Sequence, residues 1–174
     1  MMTNKFYITT AIAYVNGSPH IGHAFEFIQA DSIARYHRLL SDDVHWLTGT
    51  DEYGSKIYEL AQEKGVDVQT LVDQNAQKFI DFDKQFNISN DDFIRTSDKE
   101  RHWPSVHKLW RQLVEKGDIY KGTYEGLYCV GCEAYVTEAD LVDGNCPNHN
   151  KPPQKLQEEN YFFKLSKYSD QIAE

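Results

Sequence analysis

The sequence predicts an α/β fold: a parallel sheet with crossing helices, followed by a small β-rich module built to hold a metal. Three observations predict it. A strand, a turn, a helix and a second strand follow one another within about 45 residues, the pattern of a βαβ unit. After residue 117, long helical runs give way to glycines, aromatics and short alternating segments. Within that second part, Cys129-x-x-Cys132 and Cys146-x-x-His149 gather every cysteine of the chain into two short pairs.

The elements follow in order. Residues 6–15, FYITTAIAYV, are rich in β-branched and aromatic types and predict one buried strand. Asn16-Gly17-Ser18-Pro19 supplies a turn. From Ile21 to Leu40 the pattern is helical, with Ala24, Ile28, Ile33, Tyr36 and Leu40 recurring near a 3.6-residue period. Ser41-Asp42-Asp43 ends that helix, and VHWLTGTD (44–51) predicts a second buried strand. A helix over about 54–64 closes at Lys64-Gly65, where glycine suits the left-handed cap.

The next helix runs over about 68–86, with Leu71, Phe79, Phe82 and Phe86 as core positions. Ser97-x-x-Glu100 is a capping-box signature for a third long helix ending near Lys116-Gly117. Pro104 is expected to kink that helix or divide it. Beyond it, NYFFKL (160–165) predicts a returning strand and SKYSDQIAE the start of a helix. The expected organisation is therefore residues 1–117 as one α/β unit and 118–174 as the β-rich module.

Composition narrows the function classes. At 174 residues, with 40% hydrophobic and 13% aromatic content, the chain can bury a sizeable core. It has no run near the roughly 20 apolar residues that a membrane span requires. The N-terminal run is weakly basic and its apolar part is broken by threonines, so it reads as a strand and not as a signal peptide. A cytoplasmic setting is the expectation. The net charge of −9 argues against broad nonspecific nucleic-acid binding, although a nucleic acid held by another region is compatible with it.

Thirteen residues separate Cys129-x-x-Cys132 from Cys146-x-x-His149. Each pair can form a knuckle with both side chains on one ion, and two knuckles complete a tetrahedron of three thiolates and one imidazole. These donors favour zinc over hard cations, and a closed set of four makes the site structural. Gly131, Gly144 and Pro147 suit tight ligand turns. The alternative is three free thiols near one another by coincidence.

The turn NGSPHIGH (16–23) places His20 and His23 around Gly22 between a strand and a helix. Such a turn lies at the carboxyl end of a parallel strand, where α/β sheets bind ligands. The helix start offers unpaired N–H groups to anions, and two imidazoles there can donate to phosphate oxygens in a transition state. Gly22 would let a flat ring approach the backbone. The competing reading is a purely structural turn. His37, His45, His102 and His107 read as surface or satisfied core histidines.

PHIGH (19–23), after a strand and opening a helix, resembles the HIGH signature of class I aminoacyl-tRNA synthetases. With ITTAIAYVNGSPHIGHAFEFIQADSIARYHRL, WLTGTDEYGSKI and FIRTSD, the chain is similar to the methionyl-tRNA synthetase family, and the stretch from YEGLYCVGC to ENYFF resembles that family's zinc-bearing insertion. The resemblance implies the first half of a Rossmann-like catalytic domain, running into the connective-peptide insertion with its zinc knuckle. It implies an enzyme that activates methionine with Mg2+-bound ATP and transfers it to tRNA(Met).

Residue by residue, the resemblance gives His20 and His23 the catalytic contacts to ATP phosphates. It gives Gly22 the space for adenine and Glu26 a hold on the nucleoside. It gives Ala11, Ile12 and Tyr14 the methionine side chain, and Asp51 the substrate ammonium, a role a carboxylate at a strand's carboxyl end also suits on physical grounds. Cys129, Cys132, Cys146 and His149 would hold structural Zn2+. From the residues alone, Ala11, Ile12 and Tyr14 could equally be strand core, Asp51 a helix cap and Glu26 an exposed helix position.

Two features depart from the family pattern. Tyr53 stands where the family commonly has histidine. The lysine-rich KMSKS loop, the second half of the nucleotide fold, the rest of the methionine pocket and the helical anticodon-binding domain do not occur within the 174 residues. The expectation is an N-terminal piece carrying half an active site and inactive alone. The competing classes are another class I synthetase or related nucleotidyltransferase, and a zinc-bearing binding module without catalysis.

Overall fold

The computed structural model describes residues 4–173. The predicted first strand is two strands, β1 (Lys5–Thr9) and β2 (Ala13–Tyr14). Both pair in parallel with β3 (Asp43–Asp51), and so does β4 (Asp92–Arg95). Leu47 pairs with Thr9 and with Asp92, and Thr50 pairs with Ala13 and with Arg95. So β1 and β2 lie end to end on one side of β3, with β4 on the other.

Between the pairs Thr9–Leu47 and Ala13–Thr50 the first chain advances one residue more than β3. That extra residue breaks the ladder at residues 10–12, which corrects the single strand expected over 6–15. The break has its own bonds: the Thr10 and Thr48 hydroxyls meet at 2.6 Å, and the Ala11 N–H donates to Glu26 Oε1 at 2.8 Å. β3 must be glycine at position 49, because a Cβ there would lie 1.9 Å from the Ile94 carbonyl oxygen. The strand β4 is absent from the sequence expectation, since four residues with charged ends, DFIR, carry no period-2 signal.

The first helix, α1 (Ile21–Leu39), has the predicted extent. Ala24, Phe27, Ala30, Asp31 and Ala34 turn inward, while Ile28, Ile33, Tyr36 and Leu40 are exposed. Alanines let the helix approach the sheet closely, and Trp46 of β3 fills the space against Ala30 and Ala34. Asp31 tolerates burial because it accepts from the Ser89 N–H, the Ser89 hydroxyl and Arg35 Nε.

As expected, α2 (Ser55–Lys64) ends on Gly65 in the left-handed conformation, φ 64°. The next helix, α3 (Val68–Gln85), is capped by Asp67, which accepts from the Thr70 N–H at 3.0 Å. Leu71 and Phe79 are buried as expected, with Phe82 half-buried and Phe86 exposed. Together Ala13, Val15, Ile57, Ala61, Leu71, Val72 and Phe79 make one core cluster. Truncating a buried aromatic such as Phe79 to alanine costs about 3–5 kcal/mol.

The capping box at Ser97-x-x-Glu100 does not form. The Ser97 hydroxyl donates to Glu52, and Asp98 Oδ1 accepts from the Glu100 and Arg101 N–H groups, so the chain turns once more. The helix α4 (Trp103–Glu115) starts later, which puts Pro104 in its first turn. An N–H is unpaired there in any helix, so Pro104 neither kinks nor divides it.

The chain divides into two compact units, with the boundary between Ser105 and Val106. The compositional change at 117 falls at the end of α4, where Gly117 takes φ 69°. In the second unit β5 (Ile119–Cys129) pairs antiparallel with β6 (Ala134–Val136) and with β7 (Gln154–Phe163). The strand expected over 160–165 coincides with the last part of the longer β7 only as far as Phe163; Lys164 and Leu165 lie beyond it. Buried Asp118 accepts from Lys167 Nζ at 2.5 Å and from the Tyr168 hydroxyl at 2.6 Å. A 3-10 turn (Leu165–Tyr168) leads into the short α5 (Ser169–Ala173).

Candidate functional site

The carboxyl ends of β2 and β3 and the N-terminus of α1 form one edge of the first unit. His20 is the N-cap of α1, with extended backbone (φ −137°). Its Nδ1 accepts from the Gly22 N–H at 3.1 Å, and its own N–H donates to His23 Nδ1 at 3.2 Å. Two histidines thus act as a capping box, a role usually filled by Ser or Thr with Glu. An acceptor Nδ1 carries no proton, so each neutral ring bears its hydrogen on Nε2. Both Nε2–H groups remain as donors.

The rings lie 3.9 Å apart between centroids, and Phe79 of α3 meets His23 edge-on at 5.0 Å. Burial, followed by the neighbouring His20, lowers the His23 pKa from its ordinary 6.5. The neutral donor is therefore the favoured state. A Cβ on Gly22 would stand 2.9 Å from His20 Cε1, so glycine keeps room for the first imidazole in its capping position.

Behind the turn, buried Asn75 of α3 donates to the Val15 carbonyl at 2.7 Å, and Lys78 donates to Asn75 Oδ1 at 2.8 Å. Sequence reasoning missed both. A lone Asn on a helix carries no pattern that distinguishes a buried strut from a surface amide.

The other expected site residues lie along the same edge. Glu26 holds the Ala11 amide, so it fixes the strand break where Ala11 and Ile12 are exposed. Tyr14 pairs in register with Asp51, and its hydroxyl sits so close to Gly54 (φ 140°) that a Cβ there would be 2.0 Å away. Asp51 ends β3, half-buried, with Thr96 Oγ1 3.5 Å from its Oδ1. The N-cap of α2 is Gly54, so Asp51 is not a helix cap.

Glu52, beside Asp51, is the larger omission. Its side chain is 0% exposed and pairs with Arg95 through both carboxylate oxygens, at 2.7 and 3.1 Å. The Thr50 and Ser97 hydroxyls donate to the same carboxylate, and Arg95 also reaches Asp73 at 2.5 Å. These bonds hold the Arg95 pKa above its ordinary value, and the Asp73 carboxyl below its own, chiefly through the Arg95 hydrogen bond. No sequence periodicity signals such a pair, because its partners are 43 residues apart.

In the second unit the four expected ligands converge. The donor atoms of Cys129, Cys132, Cys146 and His149 lie within 4.8 Å of one another. His149 Nδ1 is 3.9, 3.3 and 3.8 Å from the sulfurs of Cys129, Cys132 and Cys146, and Cys132 and Cys146 are 3.5 Å apart. Ligands at about 2.3 Å (sulfur) and 2.1 Å (nitrogen) on a tetrahedral ion would be separated by about 3.5–3.8 Å. The donor set fits zinc in type, number and spacing. Hydrogen bonds led by the Cys132 N–H lower the Cys129 thiol pKa, which favours a thiolate ligand. Gly131 is required beneath the imidazole, since a Cβ would lie 2.5 Å from His149 Cδ2.

Three of the remaining histidines make structural contacts. His37 bonds Asp42 at 2.7 Å and stacks on Phe6, His45 stacks on Tyr7, and His102 contacts the Thr96 carbonyl. No helix among the described residues is long and apolar enough to cross a membrane.

Comparison with known proteins identifies the family. The family model described as tRNA synthetases class I (M) matches residues 6–157. The methionine–tRNA ligase of Clostridium tetani is 47% identical over 172 residues, covering 99% of this chain and 27% of that protein. The Thermotoga maritima ligase is 48% identical over 172 residues, with 97% and 27% covered. The structure of Mycobacterium tuberculosis methionyl-tRNA synthetase in complex with methionyl-adenylate superposes with a TM-score of 0.90 at 42% identity. That match covers 98% of this chain and 34% of that one. The chain thus spans about a quarter of the length of these curated relatives. With the match running from the first strand through the cysteine–histidine module, the chain belongs to the methionyl branch of the class I tRNA synthetases.

Proposed function

We propose that this chain is the N-terminal part of a methionine–tRNA ligase. That enzyme joins the methionine carboxylate to the α-phosphate of Mg2+-bound ATP, releases pyrophosphate, and transfers methionine from the adenylate to tRNA(Met). The observation that carries this reading is the reciprocal His20–His23 cap, which leaves two Nε2–H donors at a helix N-terminus. As the carboxylate oxygen bonds to the α-phosphorus and the bond to the β-phosphate breaks, negative charge grows on the phosphate oxygens. Donors fixed beforehand stabilise that charge without reorganising.

The remaining roles follow from position. Gly22 keeps the backbone low beside adenine. Glu26 holds the nucleoside with the oxygen that Ala11 does not use. Ala11, Ile12 and Tyr14 line the methionine side chain, and Asp51 pairs with the ammonium. Residues 1–117 would form the first half of the catalytic domain, and 118–174 the start of the insertion. Cys129, Cys132, Cys146 and His149 would hold a structural zinc ion, which cross-links the two knuckles and takes no part in the reaction. The tRNA would be held mainly by other regions, in keeping with the net charge of −9. A cytoplasmic setting belongs to this reading, since a reducing compartment keeps the ligand thiols available.

The test is methionine-dependent ATP–pyrophosphate exchange by the intact enzyme that carries this chain. Exchange with methionine and not with leucine or isoleucine is expected. Exchange driven by another amino acid would overturn the specificity.

A further inference from the structure

We propose that the pair of buried Glu52 and half-buried Arg95, acting through Thr96, is a positioning clamp for Asp51 that sets the affinity for the substrate ammonium. The inference rests on the reading that Asp51 pairs with that ammonium.

The clamp is built from the ends of two strands. Glu52 follows β3 directly and Arg95 ends β4, so their two-point contact ties the loop after β3 to its neighbouring strand. Thr96 is the link to Asp51. Its hydroxyl accepts from the Glu52 N–H at 2.8 Å and faces Asp51 Oδ1 at 3.5 Å. Thr96 is itself held on both sides: its N–H donates to the Thr50 carbonyl at 3.2 Å, and its carbonyl accepts from Trp103 Nε1 at 3.1 Å. A shift of Arg95 would therefore pass through Glu52 and Thr96 to Asp51.

Stability alone is a poor reason for this arrangement. An ion pair with one buried partner gives back much of its attraction as desolvation of that charge. What the pair supplies is geometry. Arginine offers two parallel N–H groups to one carboxylate, which fixes distance and angle together. Lysine would keep the charge and lose that angular constraint.

The experiment uses the intact enzyme with Arg95→Lys, Thr96→Val and Thr96→Ser, each checked by thermal melting. Exchange kinetics are read separately for methionine and for ATP. Inhibition is compared between methioninol, which keeps the amine, and 4-(methylthio)butanoate, which lacks it. Arg95→Lys and Thr96→Val are expected to raise KM for methionine about tenfold, with KM for ATP within about twofold of wild type. Thr96→Ser is expected to restore the wild-type value. Methioninol inhibition is expected to weaken in the two disrupted variants, while inhibition by the amine-free acid stays the same.

Folded Arg95→Lys and Thr96→Val enzymes with wild-type methionine KM would overturn the clamp, as would equal losses for both inhibitors. If Arg95→Lys does not fold, Thr96→Val decides by itself. A wild-type enzyme that fails to exchange with methionine overturns the functional reading instead, so the two failures are distinguishable.

Discussion

The His20 backbone N–H donates to His23 Nδ1 at 3.2 Å, so the second histidine caps the residue that itself caps the helix. One geometric fact serves two ends. The bond satisfies a backbone donor at the helix start, and it fixes the His23 tautomer with the hydrogen on Nε2. Helix capping and donor orientation are the same interaction here.

The catalytic consequence is measurable. In the intact enzyme, His23→Ala is expected to lower the rate of adenylate formation by roughly 10²–10³-fold, the scale for one lost transition-state donor. His23→Asn, which keeps an acceptor and an N–H, should recover part of the loss. Single-turnover adenylate formation is the assay, and an unchanged rate in His23→Ala would remove the role.

The same cap has a pH signature. Burial and His20 lower the His23 pKa, so the folded state favours the neutral ring. A depressed folded pKa contributes stability above the ordinary value of 6.5 that is lost as pH falls below it. The difference in Tm between wild type and His23→Gln is expected to shrink as pH falls from about 7.5 to about 5.5. A difference independent of pH would contradict the cap.

Asp83 gives the opposite sign. It is 5% exposed, and neither carboxylate oxygen has a hydrogen-bond partner among the described residues. Burial pushes its pKa up to about 7. A raised pKa favours folding while the group is protonated, so stability is lost as pH rises through about 7. Asp83→Leu is expected to stabilise the protein by about 1–3 kcal/mol near pH 8, with a smaller gain near pH 5. Thermal melts at the two pH values test it, and a lower Tm for Asp83→Leu at pH 8 would refute it.

For the metal, elemental analysis of the purified protein is expected to find about one zinc per chain. Cys146→Ala should abolish retention. Gly131→Ala should reduce it below about half an equivalent, because the added methyl occupies the place of the His149 ring. Full zinc occupancy in Gly131→Ala would mean that the ring can move aside without loss.

Local chemistry was legible wherever the chain carries its own punctuation. Gly65 marks the end of α2, and the period of 21–40 marks α1. The Cys-x-x-Cys and Cys-x-x-His pairs are visible because their spacing is a local constraint. Reading failed where a long-range partner took over a local signal. Ser97 and Glu100 spell a helix start, yet Ser97 bonds to buried Glu52 and the helix waits for Trp103. The recurrence over 21–40 marks α1 as a helix without marking which face turns inward. Hydrophobicity points to Ile28, Ile33 and Tyr36, whereas close packing on the sheet selects alanines.

The sequence by itself determined the parallel βαβ start, the histidine turn and the cysteine–histidine cluster, because each rests on residues near one another in the chain. Only the tertiary structure decided the break between β1 and β2, the existence of β4 and the Glu52–Arg95–Thr96 link beside Asp51. Those depend on strand register and on burying a charge against a partner 43 residues away. Register and burial are properties of packed neighbours, and a linear pattern does not encode them.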